Sequence, residues 1–322
     1  TLGIYRFWAT TRTRQYLWSR TTIIDDRLEW TGTGKELFIG FLLVTAIFLP
    51  FALFFQFFYP AMMTRGETGF VFLIIVIFYI LILYLGNVAL FRAIRYRLSR
   101  TLWRGIRGGS NNPGWAYGWE AMWRGFIGML PAGLAIPWSQ TNLFNSRWNE
   151  MSFGPLNFMS RMNYEDVFGR WLAIYLAPIV TAVAGFILSM SVDGIDGTFG
   201  DVGGVILGVL VGLATYLAYP LFFMAYYAKF ARIAADSISL GTLDFSFDAR
   251  TIDWVKLYLG NLLLAIVTLG LGAMFWEYRK WAFLIRHLEL HGEVNVSQLS
   301  QSTTRAPGEA EGMADSFDIG AF

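Results

Sequence analysis

The chain has 322 residues, of which 55% are hydrophobic, 18% aromatic and only 15% charged, with a net charge of +2 and a mean hydropathy of +0.47. Soluble domains carry about 25% charged residues, so a water-soluble core of this length does not account for so much apolar surface, whereas lipid does. The near-neutral balance leaves no electrostatic footprint for nucleic acid, and the absence of cysteine removes disulfides, thiolate metal sites and cysteine nucleophiles together.

The chain opens on Thr1-Leu2-Gly3-Ile4-Tyr5 without a charged leader or signal-peptide pattern, and a segment preceding it is expected. Bases follow at Arg6, Arg12, Arg14, Arg20, Arg27 and Lys35, and residues 22–30 alternate about Asp25-Asp26 as a short β-hairpin. Residues 37–59 and 69–91 hold no Asp, Glu, Lys, Arg or His; each is long enough for a helix to cross about 30 Å of hydrocarbon. The connection between them has one base, Arg65. Arg92, Arg95, Arg97, Arg100, Arg104, Arg107 and Arg124 come next, with a second hairpin pattern at 103–109 and a turn-rich loop at 108–114. A short apolar stretch, 126–138, is broken by Pro131 and Pro137.

The second half follows the same order. Arg147, Arg161 and Arg170 surround a hairpin pattern at 152–158. Residues 171–192 and 202–228 are again free of charge, and the connection 193–201 carries three acids and no base. Lys229, Arg232, Arg250 and Lys256 flank a hairpin pattern at 238–245. Residues 257–276 are apolar but interrupted by Gly260, Gly270 and Gly272, then come Arg279, Lys280 and Arg286, and 288–296 alternates about Gly292. Residues 297–322 mix Ser, Thr, Gly, Ala and acids without period, which reads as a disordered cytoplasmic tail.

The parallel is an internal duplication. Leu2-Gly3-Ile4-Tyr5-Arg6-Phe7-Trp8 corresponds to Ala132-Gly133-Leu134-Ala135-Ile136-Pro137-Trp138 at an offset of 130, Arg92-Ala93-Ile94-Arg95 to Lys229-Phe230-Ala231-Arg232 at an offset of 137, and a partial third copy starts at Thr268-Leu269-Gly270. We divide the chain into a first pseudo-repeat 1–124, a second 125–256, a partial third 257–296 and the tail 297–322. Equivalent segments are basic in both copies, so the rule that short basic loops stay cytoplasmic makes the copies parallel, each with an even number of crossings. The expected fold is therefore a mainly α polytopic membrane protein of four transmembrane helices. Its Gly/Pro-broken elements are re-entrant or interfacial, and both termini are cytoplasmic. An alternative makes 257–276 a fifth span. The hairpins all fall on the cytoplasmic side, where isolated hairpins are marginal; we expect them to pair into one small β layer, the alternative being independent loops.

The run 1–8 with Arg12, Arg14 and Tyr16, the motif Thr31-Gly32-Thr33-Gly34-Lys35-Glu36-Leu37-Phe38, and Asn261-Leu262-Leu263-Leu264 leading into Thr268-Leu269-Gly270 together resemble the YjgN-like family of multi-pass proteins of bacterial inner membranes. The likeness covers nearly the whole chain. It implies inner-membrane location and brings with it no activity and no functional residues. An apolar stretch and a hairpin-like leader normally precede the first Thr-Leu-Gly of that family, which also fits a segment upstream of Thr1.

Chemistry-bearing features are few. No nucleophile elbow or phosphate loop occurs, and no convincing carboxylate pair sits in a span, so no catalytic residue or cofactor is assigned. His287 and His291 are spaced for one face, which would suit a metal, but exposed hairpin polarity explains them better. Gly204, Gly208 and Gly212 form a small-residue stripe for helix packing within or between protomers. Arg92, Arg95, Lys229 and Arg232 sit just past spans, at phosphate depth, as contacts for anionic lipid or a partner protein as well as topology determinants. The 13 tryptophans mostly flank spans, as interfacial anchors do. Asn87, Thr181 and Thr215 are candidate members of a polar path between the pseudo-repeats. The expected function is a non-catalytic module of the inner membrane that binds lipid or another membrane protein through a basic cytoplasmic face. The alternative is a transporter or channel for a neutral or amphipathic solute.

Overall fold

The structure is a computed structural model and describes residues 3–130, 132–192, 198–293, 300–304 and 315–317. Helix α1 (Arg6–Ser19) leads into strands β1 (Thr22–Ile23) and β2 (Asp26–Trp30). Helix α2 (Gly34–Leu53) continues through a π-helical turn (Phe54–Phe58) into α3 (Tyr59–Thr64), and α4 (Thr68–Arg100) returns to β3 (Thr101–Trp103) and β4 (Ile106–Gly109). A shorter helix pair, α5 (Trp115–Met129) and α6 (Ile136–Asn149), precedes β5 (Ser152–Phe153) and β6 (Leu156–Ser160). The second long pair is α7 (Glu165–Val192) and α8 (Thr198–Asp236), followed by β7 (Ile238–Leu240) and β8 (Leu243–Phe247). A second short pair, α9 (Thr251–Val267) and α10 (Trp276–His287), joined through a 3-10 turn (Leu271–Phe275), ends in β9 (Leu288–His291).

Among the described residues four helices are long and apolar enough to cross a membrane: Gly34–Thr64, Thr68–Arg100, Glu165–Ile187 and Val202–Asp236. They contain the four expected spans, the last residues of the third expected span lying beyond the stretch searched. At most 11% of the residues in their most apolar windows are buried, so these faces need lipid as solvent. At about 1.5 Å per residue, the 33 residues of α4 exceed the hydrocarbon thickness. Its basic C-terminal turns therefore continue beyond the apolar stretch as helix. Helices α7 and α8 pack along one another, and no comparable packing joins α2 or α4 to α7 or α8.

Among the described residues nine strands form one antiparallel sheet in strict chain order. All five expected hairpins contribute strands to it, so they are not independent loops. In the first, Ile24 and Asp25 form the turn and Asp26 enters β2, pairing with Ile23; this is one residue earlier than the Asp25-Asp26 turn expected, because a two-residue connection sets the register. The return strand of the fifth falls largely outside the described residues. Every helical excursion starts and ends on paired residues: Trp30 with Thr101, Gly109 with Ser152, Ser160 with Ile238 and Phe247 with Leu288. Residues 257–276 belong to such an excursion. After Val267 the chain reverses at Leu269 (φ 51°) and Gly270 (φ 92°) and comes back to the sheet along α10. The α5–α6 reversal has the same backbone, with Ala132 at φ 52° and Gly133 at φ 81°. Both reversals end in bare apolar tips, Met129 and Leu130 on one and Leu269 and Met274 on the other.

The core lies where helix ends meet the sheet. One cluster joins Phe91, Tyr117, Ala121 and Met151 to strand residues Phe158, Leu240 and Leu243; burial there raises the Tyr117 phenol pKa. A second gathers Met162, Val167, Trp171, Ile174 and Tyr226, and a third Phe7, Trp30, Leu37 and Tyr96. Most of the expected tail, 297–322, lies outside the described residues, and its described parts make contacts with the rest of the chain. Gln301 donates to the Gly105 carbonyl at 2.8 Å, Arg107 donates to the Thr304 carbonyl, and the 3-10 turn Asp315–Phe317 lies against α2. Polar side chains that find buried partners gain a reason to order that composition alone does not reveal.

Candidate functional site

The densest polar constellation lies where α1, β2, the start of α2 and the end of α4 converge. Thr33 and Glu36 form a reciprocal N-cap: Thr33 Oγ1 accepts from the Glu36 amide and Glu36 Oε2 accepts from the Thr33 amide, both at 3.3 Å. The Glu36 carboxylate then reaches α4, accepting from the Tyr96 hydroxyl at 2.8 Å and from Arg100 Nη2 at 2.6 Å. The glycines of Thr31-Gly32-Thr33-Gly34 make room for indoles: a Cβ on Gly32 would lie 2.8 Å from the Trp30 ring, and one on Gly34 2.8 Å from Trp8.

Beside this cap, α1 and α4 present Arg14 and Arg97 to a carboxylate from the far end of the chain. Asp315 is fully buried. It accepts from both terminal nitrogens of Arg14, one of them at 3.2 Å, and from Arg97 Nε at 2.5 Å. Arg6 Nη2 donates to the neighbouring Ser316 carbonyl at 3.0 Å, and the Arg14 guanidinium lies 5.1 Å from the centre of the Trp30 ring. A forked guanidinium on a carboxylate is a strong, orienting contact. Nearby, Trp18 stacks on Trp281 at 4.2 Å and Trp281 Nε1 donates to Thr21 at 2.9 Å, tying α10 to α1.

A second polar feature is a cleft of about 420 Å³ between α9 and α10, lined by Asp253, Lys256, Tyr278, Arg279, Arg286 and His287 among others. Arg279 lies so close along α9 that a Cβ on Gly260 would sit 2.6 Å from its Nη2.

The residues singled out from sequence are dispersed. Arg95 is 4% exposed and donates to the Asn112 carbonyl at 3.0 Å, while Arg92 donates to the Pro113 carbonyl at 2.9 Å and lies over Trp115. Both hold the 108–114 loop against α4. Arg232 donates to the Ala249 carbonyl at 3.3 Å, and Lys229 is half-buried on α8. Asn87 donates to the Leu83 carbonyl and Thr181 to the Ala177 carbonyl, each within its own helix, and α4 and α7 do not pack as a pair; the side chain of Thr215 lies outside the described residues. Among the described residues nothing lies within 4 Å of a Cβ placed on Gly204, Gly208 or Gly212. A Cβ on Gly185 would lie 3.1 Å from Val211 Cγ1, so this glycine sits at a close approach of α7 and α8. His287 bonds Asp248 at 2.6 Å and His291 bonds Ser246 at 3.0 Å. Among the described residues no three potential ligands converge on a metal position.

From sequence, Arg97 stands among the topology charges, Arg14 among those and among the residues of the family resemblance, and Asp315 in the tail. Nothing local links them, because Asp315 lies 301 residues from Arg14 and 218 from Arg97.

Four membrane-length helices rising from one strand layer, with arginines gathered at the junction, define a helical membrane protein. The chain belongs to the DUF898 family, bacterial proteins of unknown function, whose model matches residues 1–316. This agrees with the resemblance to YjgN-like proteins carried by the Thr31–Phe38 motif. No curated protein and no solved structure matches the chain.

Proposed function

We propose that this is a multi-pass protein of the bacterial inner membrane, built by parallel duplication, whose strand layer and both termini lie in the cytoplasm. On this reading it is a non-catalytic module that binds anionic lipid headgroups through its basic layer. The observation that carries the arrangement is strand register. Leu28 pairs with Trp103 and Phe158 with Leu240; Leu102 pairs with Arg107 and Ser239 with Asp244; Gly109 pairs with Ser152 and Ser246 with Glu289. Members of these sets stand 130 or 137 residues apart, the same offsets that relate the sequence copies. Because each excursion leaves and rejoins one sheet, the spans come in pairs. The bare tips of α5–α6 and α9–α10 suit shallow insertion from the sheet side, as does the exposed stripe Trp115, Trp119 and Phe126.

The binding reading is supported by the α9–α10 cleft, which Lys256, Arg279 and Arg286 line together; each base near an anionic surface is worth about 1 kcal/mol. A solute path has less support, since Asn87 and Thr181 bond within their own helices. The test is retention of phosphatidylglycerol over phosphatidylcholine by the purified protein. Lys256→Glu with Arg286→Glu is expected to reduce it severalfold, and unchanged selectivity in a correctly inserted double variant would remove the reading.

A further inference from the structure

We infer that Arg6, Arg14 and Arg97 form an anion-binding site for a phosphate group, and that Asp315 is an intramolecular ligand that occupies it and leaves when the phosphate binds. The site is separate from the α9–α10 cleft and does not depend on the lipid reading given for it.

The receptor and its occupant have different origins. Arg6 and Arg14 come from α1 and Arg97 from α4, two elements held by the Phe7–Leu37–Tyr96 core and the Trp30–Thr101 strand pair; neither needs the tail to be placed. The occupant arrives from the other end of the chain as a three-residue turn. The side chains of Arg14 and Arg97 are 12% and 16% exposed, and that of Asp315 is not exposed at all. Bringing guanidinium groups this far out of water is costly unless an anion meets them. Two guanidinium groups converge on the two oxygens of one carboxylate, a third cation holds the adjoining carbonyl, and Trp30 forms a wall under Arg14. Arginine forks match phosphate oxygens as well as carboxylate oxygens.

Depth favours a membrane source for that phosphate. Arg97 stands six residues past Phe91, the last residue of the uncharged stretch, or about 9 Å along the helix, which is headgroup level. A phospholipid headgroup and a soluble phosphate share the recognition chemistry, and the experiment separates them.

The test uses the full chain in phosphatidylcholine nanodiscs, titrated in one arm with inorganic phosphate and in the other with phosphatidylglycerol incorporated into the disc. Where a competitor holds most of the receptor, the apparent affinity falls by the fraction left open. Asp315→Asn, which keeps shape and removes charge, is therefore expected to tighten apparent binding by about tenfold. Adding Arg97→Gln is expected to abolish the gain. A gain in the lipid arm alone assigns a headgroup, and one in the phosphate arm assigns a soluble anion. A second measurement needs no variant: in the wild type, the binding anion is expected to speed carboxypeptidase removal of Asp315. The inference is overturned if Asp315→Asn leaves affinity unchanged in both arms, if its gain survives Arg97→Gln, or if neither anion accelerates tail cleavage; Asp315 would then be a structural clamp only.

Discussion

Trp30 pairs with Thr101 across the sheet although α2 and α4, two membrane-length helices, lie between them in the chain. A strand pair of this kind acts as a clasp. It fixes where the first span begins and the second ends, independently of how the spans pack in lipid. This matters because α2 and α4 make little contact along their apolar lengths beyond the stacking of Phe51 on Phe78 at 3.8 Å.

Glu36 is the main polar junction between α2 and α4. Glu36→Gln keeps an amide acceptor for the cap but removes the charge that holds Arg100, leaving a half-buried guanidinium without its carboxylate. A loss of about 1–3 kcal/mol is expected, read as a lower thermal midpoint in detergent. Tyr96→Phe, which removes one hydrogen bond to the same carboxylate, is expected to cost about 1 kcal/mol.

Ile24 occupies a left-handed turn position, φ 60°, with its side chain 61% exposed. A β-branched residue there carries a penalty of about 1–2 kcal/mol. Ile24→Asn or Ile24→Gly is expected to raise stability by about 1 kcal/mol, seen as a higher denaturation midpoint with unchanged helix content.

Gly34 is expected to be sensitive to alanine and Gly208 indifferent to it. At Gly34 the new methyl would meet the Trp8 ring at 2.8 Å, and overpacking of that kind costs about 1–3 kcal/mol. At Gly208 nothing lies within 4 Å, so Gly208→Ala is expected to change stability by less than about 0.5 kcal/mol. Thermal unfolding of the two variants side by side checks both.

Much of this architecture was legible because its signals are local. Charge-free runs such as 69–91 specify spans, and alternation about Arg104-Gly105 or Gly241-Thr242 specifies hairpins, since both turns place a residue at positive φ. That the hairpins unite followed from charge placement rather than from any strand. The burial of Arg95 and the site around Asp315 were out of reach, since their partners, Asn112 in a loop and Arg14 near the opposite terminus, carry no spacing that points to them.

The central claim is that both halves hang from one sheet on one side of the membrane. This 322-residue chain has no cysteine, so single cysteines introduced into it at Asp25 and Thr242, two hairpin tips, and at Arg65, between α3 and α4, report side directly. In oriented vesicles an impermeant maleimide is expected to label Asp25→Cys and Thr242→Cys from the cytoplasmic side alone and Arg65→Cys from the opposite side alone. Labelling of Asp25→Cys and Thr242→Cys from opposite sides would contradict the account.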